Sequence, residues 1–137
     1  MKIILIMGLP GSGKTTLASK LTPLLGAKWI NADKVRKEAN DWDFSVEGRI
    51  RQAKRMREKS LKFKKEKFNV IVDFVCPTPE VRKIFDPDFI IWMDTIKKSK
   101  FEDTNKLFVK PDNYNIRINE KNSDFFAKEI AEKIKKD

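Results

Sequence analysis

Short apolar runs alternating with amphipathic stretches predict an α/β protein, a three-layer sandwich whose mostly parallel sheet of about five strands is flanked by helices. Three observations carry this reading. IILIM, the VIV of FNVIVDFV and the FIIWM of DFIIWMD are unbroken apolar runs, as strands buried on both faces must be. Proline or glycine then breaks the chain, and helical periodicity follows. At the first such junction stands GLPGSGKTT, residues 8–16, a glycine loop between strand and helix. At 137 residues the chain is expected to form a single domain, 1–137.

The elements follow in order. Residues 2–7 read as the first strand, and 14–25 as a helix with Leu17, Leu21 and Leu24 at helical spacing. AKWIN, 27–31, is a second strand, and Asp33 is placed to cap or open a helical stretch over 34–40. A long helix begins near Ser45 with Ile50, Ala53, Met56 and Phe63 as its apolar stripe. The third strand, 68–75, ends at Pro77 and Pro79 before a short helix near 80–85. The fourth spans 88–94. Residues 95–113 are basic and without period, which predicts a loop with a mobile lid at 97–111. YNIRI, 114–118, is the fifth strand candidate, and 123–136 an amphipathic last helix with Ser123 as N-cap.

Composition narrows the function. Five apolar residues before Gly8 are too few for a signal sequence or a membrane span, and the lone Cys76 has no internal disulfide partner, so a cytoplasmic protein with no membrane partner is expected. With no histidine, a general base must be Asp, Glu, Lys or water. Of the net charge of +10, residues 49–67 contribute ten Lys/Arg against Glu58 and Glu66. Such a field attracts phosphates, sulfates or nucleic acid, although a solvated helix face has the same composition.

Gly8, Gly13, Lys14 and Thr15 satisfy G-x-x-x-x-G-K-[ST] in the strand-to-helix setting that the motif needs. The backbone of Gly8, Gly11, Ser12 and Gly13 can turn its N–H groups toward phosphate oxygens, with the helix N-terminus behind them. Lys14 then supplies charge to the β- and γ-phosphates, the Thr15 hydroxyl a ligand for Mg²⁺, and Thr16 a contact to the α-phosphate. ATP and Mg²⁺ are the implied cofactors. Asp33, past the second strand, is the first candidate to orient or deprotonate an acceptor hydroxyl; otherwise it is a plain cap. Asp73, at the end of the third strand, has the placement of a magnesium-binding carboxylate or of a satisfied strand-end one. Arg36 and Asn40 lie four apart on one predicted helix face, as an anion fork would, and Phe44 and Arg49 stand at the start of the long helix. The three tryptophans read as core or pocket walls.

Over roughly residues 3–110 the chain resembles the adenylylsulfate (APS) kinases, small P-loop kinases that phosphorylate the 3′-hydroxyl of adenosine 5′-phosphosulfate. GLPGSGKTTLA resembles that family's phosphate loop, and NADKVR its D-G-D-N-x-R stretch, giving Asp33 and Arg36 the acid and arginine roles. DFSVEGRIRQAKR is similar to G-F-S-x-x-D-R-x-E-N-I-R-R, FVCP to F-I-S-P, and DTIKKSKFEDTNKLFVK to a lid ending in G-L-Y-K-K. The resemblance implies an acceptor site of Arg36, Asn40, Phe44 and Arg49, with Phe108 and Lys110 near the adenine. Lys34, Gly48, Arg51 and Gln52 depart from the pattern, all on the acceptor side. The expectation is an ATP-dependent kinase acting on a small anionic nucleotide. A polynucleotide 5′-kinase, another small-molecule kinase and an ATP-dependent nucleic-acid-binding module stand behind it, and a homodimer is left open.

Overall fold

The computed structural model describes residues 1–136. Strands β1 (Ile3–Met7), β2 (Lys28–Asn31), β3 (Val70–Asp73), β4 (Phe89–Met93) and β5 (Ile116–Ile118) form one sheet in the order β2-β3-β1-β4-β5. All four pairings are parallel. The helices are α1 (Lys14–Leu25), α2 (Ala32–Ala39), α3 (Val46–Lys65), α4 (Pro79–Phe85), α5 (Glu102–Leu107) and α6 (Ser123–Lys136).

Alternation along the strands divides the core into two layers. Ile3, Leu5 and Met7 face one way with Val70 and Val72, and pack on Val35 of α2, Ala53 and Met56 of α3, and Val81 and Phe85 of α4. Ile4, Ile6 and Ile71 face the other way, onto Leu17 and Leu21 of α1 and Ala127, Ile130 and Ile134 of α6. These residues are almost fully buried, so the sheet is covered on both faces as its unbroken apolar runs require. The chain runs from β1 out to β2, returns to β3, and then crosses to β4 on the other side of β1, so the winding reverses beside β1 and a crevice opens at the carboxyl ends of the central strands.

Several local expectations need correction. The first turn of α2 is capped by Asn31, whose side chain accepts from the Lys34 N–H, and Asp33 lies inside that turn rather than capping it. Asn40 is the residue after α2, at φ 51°, and so leaves the helix face that Arg36 occupies. Ser123 is the first residue of α6, and the Asn122 side chain accepts from the Phe125 N–H at 3.5 Å. The stretch 95–113 contains α5, six residues too short to display a period. It is held by a side chain: Asn105 accepts from the Ser99 N–H at 2.8 Å and hydroxyl at 2.7 Å, and donates to the Ser99 carbonyl at 2.9 Å.

The tryptophans divide. Trp92 is core, but Trp42, 50% exposed, and Trp29, 36% exposed, belong to neither core nor pocket wall.

Candidate functional site

The loop 8–13 passes from β1 to α1 through three positive-φ glycines, Gly8, Gly11 and Gly13. Gly8 is obligatory on space as well, because a Cβ there would lie 2.6 Å from the Met93 carbonyl oxygen. Asn31, Ser45 and Thr78 cap α2, α3 and α4 with side chains, whereas α1 begins at Gly13 with no side-chain cap. The first N–H groups of α1 therefore face the crevice, and with the helix dipole they form an anion cradle. Ser12 is wholly buried and its hydroxyl finds no hydrogen-bond partner, a second polar group turned into this loop without an acceptor.

Lys14 is buried and donates to the Leu9 carbonyl at 3.0 Å. Loss of solvation pulls its pKa from 10.5 down to about 8, against the opposing pull of Asp73 and Asp33. An ammonium held this way gains from any phosphate that arrives beside it. Thr15 is exposed, and its hydroxyl lies 3.5 and 3.4 Å from the two oxygens of the buried Asp73 carboxylate. Asp73 Oδ2 also accepts from Trp29 Nε1 at 3.0 Å and Asn31 Nδ2 at 2.8 Å. Hydroxyl and carboxylate are hard oxygen donors and fit Mg²⁺. Among the described residues no group of three or more metal-ligating side chains gathers, so this pair suits an ion completed by phosphate and water rather than a protein cage.

Two cavities flank the loop. One, of about 710 Å³, is lined by Lys14, Thr15, Asp33, Arg36, Phe44, Arg49 and Asp73, with Lys100 to Thr104 on its wall as well. The other, of about 390 Å³, runs from Gly13 to Leu17 along Met93, Ile118 and Phe126 to the segment 120–123.

The larger cavity brings together most residues named from the sequence. Asn40, Phe108 and Lys110 are not among those that line it. Phe108 is half-buried against the core with the Arg82 guanidinium 5.6 Å from its ring, and the aromatic of segment 97–111 that lines the cavity is Phe101. The same type of residue seven positions earlier was hidden in a segment whose helix had no visible period.

Arg36 is 5% exposed and donates to the carbonyls of Asp41 at 2.9 Å and Asp43 at 3.1 Å. Burial lowers its pKa, with Asp41 acting in the opposite sense. The Arg36 and Arg49 guanidiniums lie 4.2 and 5.5 Å from the Phe44 ring centre, leaving that ring 53% exposed rather than in the core. Loop 41–45 is held further by Asp41, which accepts from Arg51 and from Arg55 at 2.7 Å. These partners depress its carboxyl well below the ordinary range. Gly48 admits the loop, since a Cβ would sit 2.1 Å from the Asp43 carbonyl oxygen.

The basic helix is thereby explained. Arg49 donates to the Phe44 carbonyl, Arg57 to the Phe85 and Asp86 carbonyls, and Lys59 and Lys64 pair with Glu38 and Asp88. With Arg51 and Arg55 bound to Asp41, six of its cations fasten α3 to its own fold. Cys76 is buried, burial pushes its thiol up to about 12, and it takes no part in the cavity.

Among solved structures, the APS kinase of Mycobacterium tuberculosis in complex with AMPPNP and APS is 20% identical over 98% of this chain and 97% of that one, with a TM-score of 0.85. A sugar kinase from Janibacter sp. is 15% identical, covering 98% and 92%, at 0.73. The shikimate kinase of Acinetobacter baumannii in complex with shikimate is 17% identical, covering 98% and 93%, at 0.63. These likenesses establish the P-loop kinase fold. No curated protein sequence matches the chain. The AAA domain family matches residues 3–86, more than half of the chain and the whole of the loop with Lys14, Thr15 and Asp73, and the chain belongs to that family.

Proposed function

We propose that the chain is an ATP-dependent small-molecule kinase acting as one domain, and that its acceptor is the 3′-hydroxyl of adenosine 5′-phosphosulfate. The observation that carries this reading is the larger cavity, where the phosphate-loop lysine, a free carboxylate and two arginines flanking an exposed ring border one space. The uncapped α1 terminus and Lys14 take the phosphates of ATP, and the smaller cavity its nucleoside. Thr15 and Asp73 would hold Mg²⁺, which when bound neutralises charge on the transferred group. Asp33 orients the hydroxyl and accepts its proton, a modest task in a loose phosphoryl-transfer transition state. Phe44 and Phe101 offer two aromatic faces to a flat base, and Arg49 a fork to an anionic tail. Residues 97–111 act as a mobile lid that excludes water once both substrates are in place. No helix among the described residues is long and apolar enough to cross a membrane, and a reduced, buried Cys76 suits the cytoplasm.

The test is labelled ATP offered with APS, gluconate or a short 5′-hydroxyl oligonucleotide. Transfer to APS, lost in Lys14→Ala while the far-ultraviolet spectrum is kept, supports the reading. Transfer to another acceptor alone, or to none, overturns it.

A further inference from the structure

Asp73 carries more donors than the phosphate loop accounts for. Asn31 and Trp29 are two residues apart on the edge strand β2 and so share a face. Asn31 is the register partner of Asp73. Both side chains donate to the same oxygen, Oδ2, at 2.8 Å from the amide and 3.0 Å from the indole. Oδ1 keeps only the Thr15 hydroxyl at 3.5 Å. Asn31 is itself held, because its Oδ1 accepts from the Lys34 N–H at 3.0 Å as the cap of α2. The carboxylate is thus clamped through one oxygen and turned, by the other, toward the loop.

We infer that Trp29, with Asn31, is a positioning residue that fixes the Asp73 carboxylate for the metal-nucleotide, so that the edge strand sets how strongly Mg²⁺ tightens nucleotide binding. This rests on the kinase reading above. A tryptophan 36% exposed at a sheet edge adds little to the core, so its indole N–H on a buried carboxylate is a matter of orientation more than of packing. Partners that orient a metal-ligating carboxylate typically change metal affinity by about 10- to 100-fold when removed. Trp29→Phe keeps a ring at the edge and deletes only the donor.

The experiment is ADP binding by calorimetry, with Mg²⁺ and with EDTA, on the full chain and on Trp29→Phe. Nitrogen-15 spectra of the tryptophan indoles are recorded alongside, with Trp29 assigned by its absence in the variant. In the parent, the Trp29 indole signal should shift when Mg²⁺ is added to the ADP-bound protein, while that of exposed Trp42 stays in place. In Trp29→Phe, affinity for ADP in EDTA should be unchanged and the Mg²⁺ enhancement about tenfold smaller. An enhancement within twofold of the parent, or an unresponsive Trp29 signal in the parent, overturns the inference while leaving the kinase reading intact. Failure of the parent to bind ADP at all overturns both. Should Trp29→Phe not fold, Trp42→Phe and Trp92→Phe assign the Trp29 indole by elimination, and the parent's signal decides.

Discussion

Lys14 Nζ donates to the carbonyl of Leu9 at 3.0 Å, so the loop's one cation is folded back on the loop's own backbone. Desolvation holds its pKa at about 8. A bound phosphate replaces a neutral carbonyl by a charged acceptor and raises that value again. The ammonium's contribution to nucleotide binding is therefore fully present below about pH 8 and is lost as pH rises through the pKa of the complex. Metal-free ADP affinity should fall by up to about tenfold per pH unit above 8, with proton uptake on binding. Calorimetry at pH 8.5 in buffers of differing ionisation enthalpy measures that uptake. Affinity flat between pH 7 and 9.5 contradicts it.

Asp33 is exposed on the first turn of α2, on the wall of the larger cavity, and Asn31 does the capping. Asp33→Asn should therefore leave the melting temperature unchanged and ATP affinity within about threefold, while kcat falls by on the order of 100-fold. Steady-state kinetics with an ATP titration check the split. Equal losses in kcat and ATP affinity would make Asp33 a direct nucleotide ligand.

Arg36 is expected to act through the fold as well as through any ligand. Its guanidinium satisfies the Asp41 and Asp43 carbonyls, so Arg36→Ala orphans two acceptors and releases the loop that carries Phe44. A loss of about 2–3 kcal/mol follows for charge-assisted bonds, or on the order of 10 °C in melting temperature. Differential scanning calorimetry reads this directly. An unchanged melting temperature with only a raised acceptor KM would show a guanidinium free to grip substrate.

The sheet and phosphate loop were legible because each rests on a local signal. Ile3–Met7 is buried on both faces and so cannot alternate, and Gly8, Gly13 and Lys14 are demanded by backbone geometry and charge over a few residues. What failed to show depends on partners distant in the chain. Phe44 is placed at the acceptor site by resemblance alone, and what keeps its ring out of the core, the Arg36 and Arg49 guanidiniums beside it, shows only in the fold. Trp29 looks like a wall until its indole meets Asp73, 44 residues away. Phe108 and Phe101 both lie in one unperiodic stretch, and only the Ser99–Asn105 bonds that set α5 decide which of them reaches the cavity. The charge of α3 misleads in the same way, since its ion partners Asp41, Glu38 and Asp88 come from elsewhere in the sequence.

That redistribution of charge separates a small anionic acceptor from a nucleic acid. Arg49 lines the larger cavity, burial lowers its pKa, and Asp103 of α5 opposes the shift, so an anion entering there meets a partly desolvated fork. Lys54, Lys62 and Lys65 are exposed on α3, outside both cavities, and make none of the ion pairs that tie down their neighbours. For APS, Arg49→Ala should raise KM on the order of tenfold or more with ATP affinity unchanged, and Arg49→Lys should recover only part because it lacks the planar fork. Neutralising Lys54, Lys62 and Lys65 together should alter KM for APS by less than twofold, as solvated charges far from the ligand do. A polynucleotide acceptor predicts the reverse: removing a lysine that neutralises a backbone phosphate weakens binding and flattens the slope of log K against log salt by about one. Running both variant sets with APS and a short oligonucleotide at two salt concentrations discriminates between them. If the three lysines prove the sensitive set, the acceptor is a nucleic acid, and α3 is its track.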